Sequence, residues 1–282
     1  MNKKMDYIKR KKKDIDICNI CGEKKQMTWD HVPPKATGNN GAIVTNVLTR
    51  GLPESNKYQK KYQNGIRFKS ICQECNNSLI GKYDMDYKKF TEDIKNLLST
   101  DLILPQYISV KVKINRVCRA ICGHFLAAKN FYDDQTTVDK KLREYIFNPN
   151  LSGKNITKLY YWVYPYDEII VIRDVVVRVG NNKVAFPENL ISIINSHPLA
   201  FMLDTDYEFQ CMLDNLMRYT TEDIDEEKVI RINLKSMYYP STDKYRDFRW
   251  PCNLTGNWDG AKSVVVGKCG MDDSRLGIRN VE

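Results

Sequence analysis

Two cysteine pairs frame the residues of this chain best suited to chemistry. Cys18 and Cys21 form one C-x-x-C pair, and Cys72 and Cys75 form another. Two residues between thiolates let both sulfurs reach one ion from a tight turn. Two such turns complete a tetrahedral zinc site with no open position, which makes the ion structural. The plain alternative is two chance pairs of buried thiols. A closed site would cross-link a loop of about fifty residues, and its binding free energy would become folding free energy. Between the pairs lies Trp29-Asp30-His31-Val32-Pro33-Pro34-Lys35, and directly after the second pair come Asn76 and Asn77. Asp30 offers a hard oxygen ligand for Mg²⁺ or a similar ion, and Asn76 offers a second. His31, with an unperturbed pKa of about 6.5, can accept a proton from water near neutral pH. Strand alternation points Asp30 and His31 to opposite sides, so neither duplicates the other. Phosphodiester hydrolysis needs a nucleophile, charge neutralisation on the phosphate and help for the departing oxygen, and these residue types can supply them.

The order C-x-x-C, Asp-His-Val-Pro-Pro, C-x-x-C-Asn resembles the HNH endonuclease family in its zinc-knuckle form, over approximately residues 17–90 and including a trailing Gly81 and Asp84. The resemblance implies a small zinc-bound ββα-metal, treble-clef-like module. In it Cys18, Cys21, Cys72 and Cys75 hold structural Zn²⁺, Asp30 and Asn76 hold a catalytic Mg²⁺, Mn²⁺ or Ni²⁺, and His31 is the general base. It implies a metal-dependent hydrolase cutting DNA to 5′-phosphate and 3′-hydroxyl ends, in a setting such as restriction or bacterial anti-phage defence. RNA stays open as substrate, because a phosphate-directed site does not distinguish the sugar. The family's middle Asn braces the loop that carries the His. Asn46 is the candidate, and Asn77, Asn39 or Asn40 are the alternatives, because an insertion over about 49–69 separates Asn46 from the second pair. Lys35 is placed to contact phosphate or is a solvated loop lysine. A reading of a different class is a zinc-folded module that binds nucleic acid or a protein without catalysis, since the cysteine pairs and basic residues explain folding and binding without Asp30 or His31.

The elements that must position these residues follow from periodicity. The predicted class is α+β: a basic arm over 1–14, the zinc-bound module over 15–100, and a helical connector with a β-rich C-terminal region of antiparallel strands over 101–282. Apolar residues at helical spacing predict helices over 86–100, 115–131 and around 138–146. Runs of β-branched and aromatic residues predict strands at 159–164, 169–179, 184–186, 199–203, 229–234 and 263–266, with a Gly-Asn-Asn turn at 180–182. Pro187 reads as the first residue of a helix running to Asn195.

Charge is unevenly spread over the 282 residues. Residues 1–90 hold 19 Lys and Arg against 9 Asp and Glu, and the remainder holds 25 against 26. A basic first third beside a near-neutral remainder suits a polyanionic partner. The start lacks the apolar run of a secretory signal and no segment is long and apolar enough to span a bilayer, so the expected location is cytoplasmic with no membrane partner. In a reducing compartment the nine cysteines argue for metal ligands or buried thiols over disulfides. Cys118 and Cys122, with His124 nearby, read as a buried helix face before a second metal site, and Cys211, Cys252 and Cys269 as core. His197 has no evident partner. Tyr160, Tyr161, Trp162, Tyr164 and Tyr166 read as a half-buried strand before a base-stacking cluster. Arg173, Arg178 and Lys183 are candidates to extend a phosphate-contacting face. Cutting two strands with one site per chain makes a homodimer, or docking to a partner sensor subunit, an expectation.

Overall fold

The computed structural model describes residues 14–46, 59–129, 131–164, 168–179, 189–203, 213–234, 254–257 and 263–269. The basic arm up to residue 13, the strand expected at 184–186 with its preceding turn, Tyr166, Cys211 and Cys252 lie outside them. The chain is α+β. β1 (Ile15–Ile17) and β2 (Lys24–His31) flank the first cysteine pair as an antiparallel hairpin; β3 (Ile43–Asn46) and β4 (Gln59–Tyr62) follow, and β5 (Arg67–Cys72) returns beside β2. A continuous helical stretch begins at once. It opens with wide π-type turns over Glu74–Ile80, tightens to a 3₁₀ turn over Gly81–Tyr83, and continues as α1 (Asp84–Leu98). Gly81 permits the wide turn: its N–H bonds to the Asn76 carbonyl, and a Cβ there would collide with that oxygen.

β6 (Tyr107–Val112) leads into α2 (Ile114–Ala127) and α3 (Thr137–Phe147), close to the bounds that apolar spacing predicts. Residues 117–127 of α2 are all buried, as expected of a helix apolar around most of its circumference, and Cys118 and Cys122 are wholly enclosed there. Gly123 lets α2 approach the π-type turns, since a Cβ would strike the Ile80 side chain. The last carbonyls of α2 have no partner within the helix. The cysteine-rich segment supplies donors: Asn19 Nδ2 to the carbonyls of Leu126 (3.1 Å) and Lys129 (2.9 Å), and Ser70 Oγ to that of Ala127.

The remaining strands are β7 (Leu159–Val163), β8 (Glu168–Val179), β9 (Asn189–Ser196), β10 (Leu199–Leu203), β11 (Asp214–Asn215), β12 (Lys228–Asn233), β13 (Leu254–Asn257) and β14 (Ser263–Cys269). Among the described residues nine strands make one sheet, in the order β11-β7-β10-β9-β8-β14-β3-β4 with β13 also on β8, while β12 pairs with β6. The segment between the cysteine pairs therefore supplies one edge of the large sheet through β3 and β4. The expected helix up to Asn195 is corrected: Asn189–Ser196 is β9, paired with β8 on one side and β10 on the other. Its Ile-rich run is compatible with either state locally, and two flanking ladders that satisfy its backbone groups decide for strand. β7 is buried along its length, so Tyr160, Tyr161, Trp162 and the following Tyr164 are core residues. No helix among the described residues is long and apolar enough to cross a membrane.

Arg173 does not extend a phosphate-contacting face. It is buried at a register shift in β8 between Ile172 and Val175, beside Asp174, whose φ is 50°. Arg173 Nη2 pairs with Asp139 Oδ1 on α3 at 2.8 Å and Nη1 donates to Ser192 Oγ on β9 at 2.9 Å. Buried Lys129, just past α2, pairs with Asp139 as well as with Asp133 (3.3 Å) and Asp174 (2.7 Å). This ionic network ties the end of α2 and α3 to the sheet. Removing one member leaves buried charge uncompensated, so Asp139→Ala is expected to lower the unfolding free energy by about 3–5 kcal/mol, read from the urea midpoint.

Candidate functional site

The first cysteine pair sits in the turn between β1 and β2, and the second spans the end of β5 and the first helical turn. The four Sγ atoms lie within 4.8 Å of one another, and Cys21 Sγ is 4.0 Å from Cys72 Sγ. Four thiolates at about 2.3 Å from a central zinc stand about 3.8 Å apart, so the sulfurs are spaced to hold such an ion. The backbone N–H of Cys72 also donates to Cys18 Sγ at 3.3 Å. The thiols compete for ionisation. The hydrogen bond with Cys75 pulls Cys18 down to about 5, the same contact pushes Cys75 up, and burial raises Cys21 to about 11. A bound cation would remove that competition by favouring all four thiolates.

Asp30 and His31 end β2. The register with β5 slips between Thr28 and Asp30, and there the burial pattern changes phase: Met27 and Asp30 turn inward, Trp29 outward. The Asp30 side chain is only 6% exposed, and its Oδ2 accepts from His124 Nδ1 at 3.1 Å. The other ring nitrogen of His124 faces Asp84 Oδ1, at the start of α1, at 2.9 Å. Burial pulls the His124 imidazolium down, but the charges and hydrogen bonds of Asp30 and Asp84 outweigh it and raise the pKa to about 10. Both nitrogens therefore carry protons and donate. The helix-face reading of His124 is thus incomplete. It is the partner of Asp30, and only its helical position relative to Cys118 and Cys122 was visible beforehand; no short-range pattern ties residue 124 to residue 30.

His31 is half-buried on the other side of the strand, with Nε2 3.1 Å from the Asn64 carbonyl. Because a carbonyl only accepts, Nε2 bears the proton and Nδ1 keeps its lone pair. Burial lowers the His31 pKa, the Asn64 bond and the Asp30 charge oppose this, and the Arg67 and Lys35 charges add to the lowering. The ring is therefore neutral near pH 7. The residues just after Asn64 are held in turn by Asn39. Buried Asn39 donates from Nδ2 to the carbonyls of Pro33 (2.7 Å) and Ile66 (2.9 Å) and accepts from the Ile66 N–H (2.7 Å), clamping the loop after His31 to the approach of β5. Gly65, at φ +68°, lies so close to Asn39 that any Cβ would collide with it. Asn39, one of the alternatives to Asn46, thus braces this loop; Asn46 sits in β3 paired with Gln59, and its side chain is outside the described residues. Asn40 is exposed.

Asn76 reaches the same strand from the helix side: its Nδ2 donates to Thr28 Oγ1 (3.1 Å) and to the Trp29 carbonyl (3.2 Å), one peptide bond from Asp30. Spending the amide nitrogen on these acceptors leaves the side-chain oxygen as the ligand-capable atom. Asn77 faces elsewhere, lining a shallow depression with Lys25, Gln26, Cys72 and Glu74. The site thus gathers Asp30, Asn76 and His124 around the inner side and backbone of β2, and His31, Arg67 and Lys35 outward.

Metal analysis of purified protein is expected to find one tightly held zinc per chain, and Cys75→Ser to lose it with an unfolding free energy lower by more than about 4 kcal/mol. His124→Ala should keep the zinc yet cost about 3 kcal/mol in denaturant unfolding, because Asp30 and Asp84 lose the cation between them. No protein-family model, curated protein or solved structure matches the chain.

Proposed function

We propose that the chain is a metal-dependent endonuclease of HNH type, with a zinc-bound treble-clef-like module formed by the first cysteine pair, β2, β5 and the helix, and that it hydrolyses phosphodiester bonds of DNA, with RNA as a further substrate class. The observation that carries the reading is the state of His31: a neutral ring whose Nε2–H is committed to the Asn64 carbonyl, which leaves Nδ1 as a base at a strand end that carries Asp30 and that Asn76 reaches from the helix. Asp30 and Asn76 Oδ1 are the hard oxygen donors that would hold Mg²⁺, Mn²⁺ or Ni²⁺. Such an ion, when bound, neutralises charge on the phosphate and on the departing oxygen. His31 takes the proton of the attacking water at Nδ1. Asn39 and Gly65 keep the Asn64 carbonyl in place, and so keep the ring in that tautomer. His124 fixes the Asp30 carboxylate, and Arg67 and Lys35 attract the phosphate.

The burial of Asp30 and its bond to His124 favour a second reading, in which Asp30 is architectural and the module binds nucleic acid without cutting it. The two part in a cleavage assay. Native protein with Mg²⁺, Mn²⁺ or Ni²⁺ is expected to nick supercoiled plasmid, and His31→Ala to slow this by about 10²–10⁴-fold while retaining zinc and its unfolding midpoint. A native protein that binds the plasmid and leaves it intact with every metal supports the binding module instead.

A further inference from the structure

Three ionisable side chains from three elements form one chain of contacts at the end of β2: Asp30 of β2, His124 of α2 and Asp84 of α1. The imidazole lies between the two carboxylates, with Nδ1 3.1 Å from Asp30 Oδ2 and Nε2 2.9 Å from Asp84 Oδ1. Ionised carboxylates only accept, so a ring bonded to both donates from both nitrogens and carries a positive charge. The His124 and Asp30 side chains are 1% and 6% exposed, and that of Asp84 is 26% exposed. Asp30 spends Oδ2 on this contact. Its Oδ1 makes no hydrogen bond among the described residues and is not fully enclosed, and the same holds for Asn76 Oδ1. Both are oxygens of the kind that hard divalent cations take as ligands. An Asp30–His124 pair alone has no net charge and offers a cation little attraction, whereas with Asp84 the chain of three is net negative. Asp84 is also the acceptor without which the buried Nε2–H loses its partner and the ring its orientation.

We propose that Asp84 is a positioning residue for the divalent metal: through His124 it fixes the Asp30 carboxylate with Oδ1 left for the cation, and it makes the assembly net negative. The inference rests on the metal-dependent reading of the His31 site, and it extends the residues that support that site to α2, outside the cysteine-framed module. Hydrogen-bonded partners behind a ligating group orient it, and losing one typically lowers metal affinity by about 10- to 100-fold.

The test is Mn²⁺ binding to the zinc-loaded full chain, followed by electron paramagnetic resonance. Asp84→Asn keeps an acceptor oxygen for Nε2 but removes the charge, and is expected to weaken Mn²⁺ binding by about 10- to 100-fold. Asp86→Asn removes the same charge two residues along α1, where it pairs with Arg116 at 3.3 Å, and should change the affinity by less than about 2-fold. Plasmid nicking by Asp84→Asn should be slow at limiting Mn²⁺ and return to within about 3-fold of native at saturating Mn²⁺, a recovery that a merely damaged fold would not show. Zinc content and circular dichroism check that both variants are folded. In the native protein the ring N–H protons of His124, sheltered from solvent, should be visible by NMR and should shift as Mg²⁺ binds, a readout that stands whether or not the variants fold. Native Mn²⁺ affinity in Asp84→Asn, equal losses in both variants, or His124 protons unmoved by bound Mg²⁺ overturns the role of Asp84. An Asp84-dependent Mn²⁺ site in a protein that cuts nothing keeps that role and sinks the hydrolase reading; native Mn²⁺ affinity in Asp84→Asn with cutting lost in His31→Ala does the reverse. A native protein that binds no Mn²⁺ ends both.

Discussion

Four sulfur atoms within 4.8 Å of one another set the geometry from which the rest of the site follows. They bring the turn after β1 to the junction of β5 and the helix, two points more than fifty residues apart in the chain. Asn76 is the residue after Cys75, so the same junction that closes the cluster carries its amide to the Thr28 and Trp29 end of β2. A small sheet of three strands and one helical stretch buries little apolar surface by itself, and a metal cross-link is the usual remedy. Here a second remedy is present: Asn19 and Ser70, inside the cysteine-rich segment, cap the buried helix α2.

β2 then acts as a partition. Its inner side holds Asp30 in a dry environment, with His124 as counter-charge and Asp84 beyond it; its outer side holds a neutral His31 among the charges of Arg67 and Lys35. Two groups adjacent in sequence thereby meet opposite surroundings: the Asp30 carboxylate faces an imidazolium, and His31 is an uncharged base. The slip in register between Thr28 and Asp30 is what turns Asp30 inward and Trp29 outward. A regular ladder would have kept the phase that buries Met27 and Trp29 together.

Away from the site, Lys129, Arg173 and their carboxylates form a buried ionic network at the place where α2, α3 and β8 meet. Such networks contribute less to net stability than to fixing one arrangement among many, since desolvation offsets much of the attraction. Here it sets the register of helix against sheet next to the bulge at Asp174. His124 lies five residues before Lys129, so the partner of Asp30 stands near the end of α2 that this network anchors.

Local spacing alone determined the cysteine cluster, the three helices and the strands β7, β8, β10, β12 and β14, because two residues between thiolates and apolar repeats of 3.6 and 2 encode geometry at short range. The buried-helix reading of Cys118 and Cys122 and the strand reading of the tyrosine-rich run were legible for the same reason, although that strand, expected half-buried, is buried along its length. The tertiary structure decided what depends on contacts across the chain. An imidazole at position 124 meets a carboxylate at position 30 only once α2 packs against β5, beside β2; Asn39 clamps the His31 loop because Gly65 leaves room for it; Asn189–Ser196 is a strand because two neighbours pair with it. Arg173 shows the limit most clearly. Its sequence setting, an apolar run broken by Arg173 and Asp174, does not say which way it points, and its buried carboxylate partner on a distant helix makes the interior tolerable for the charge.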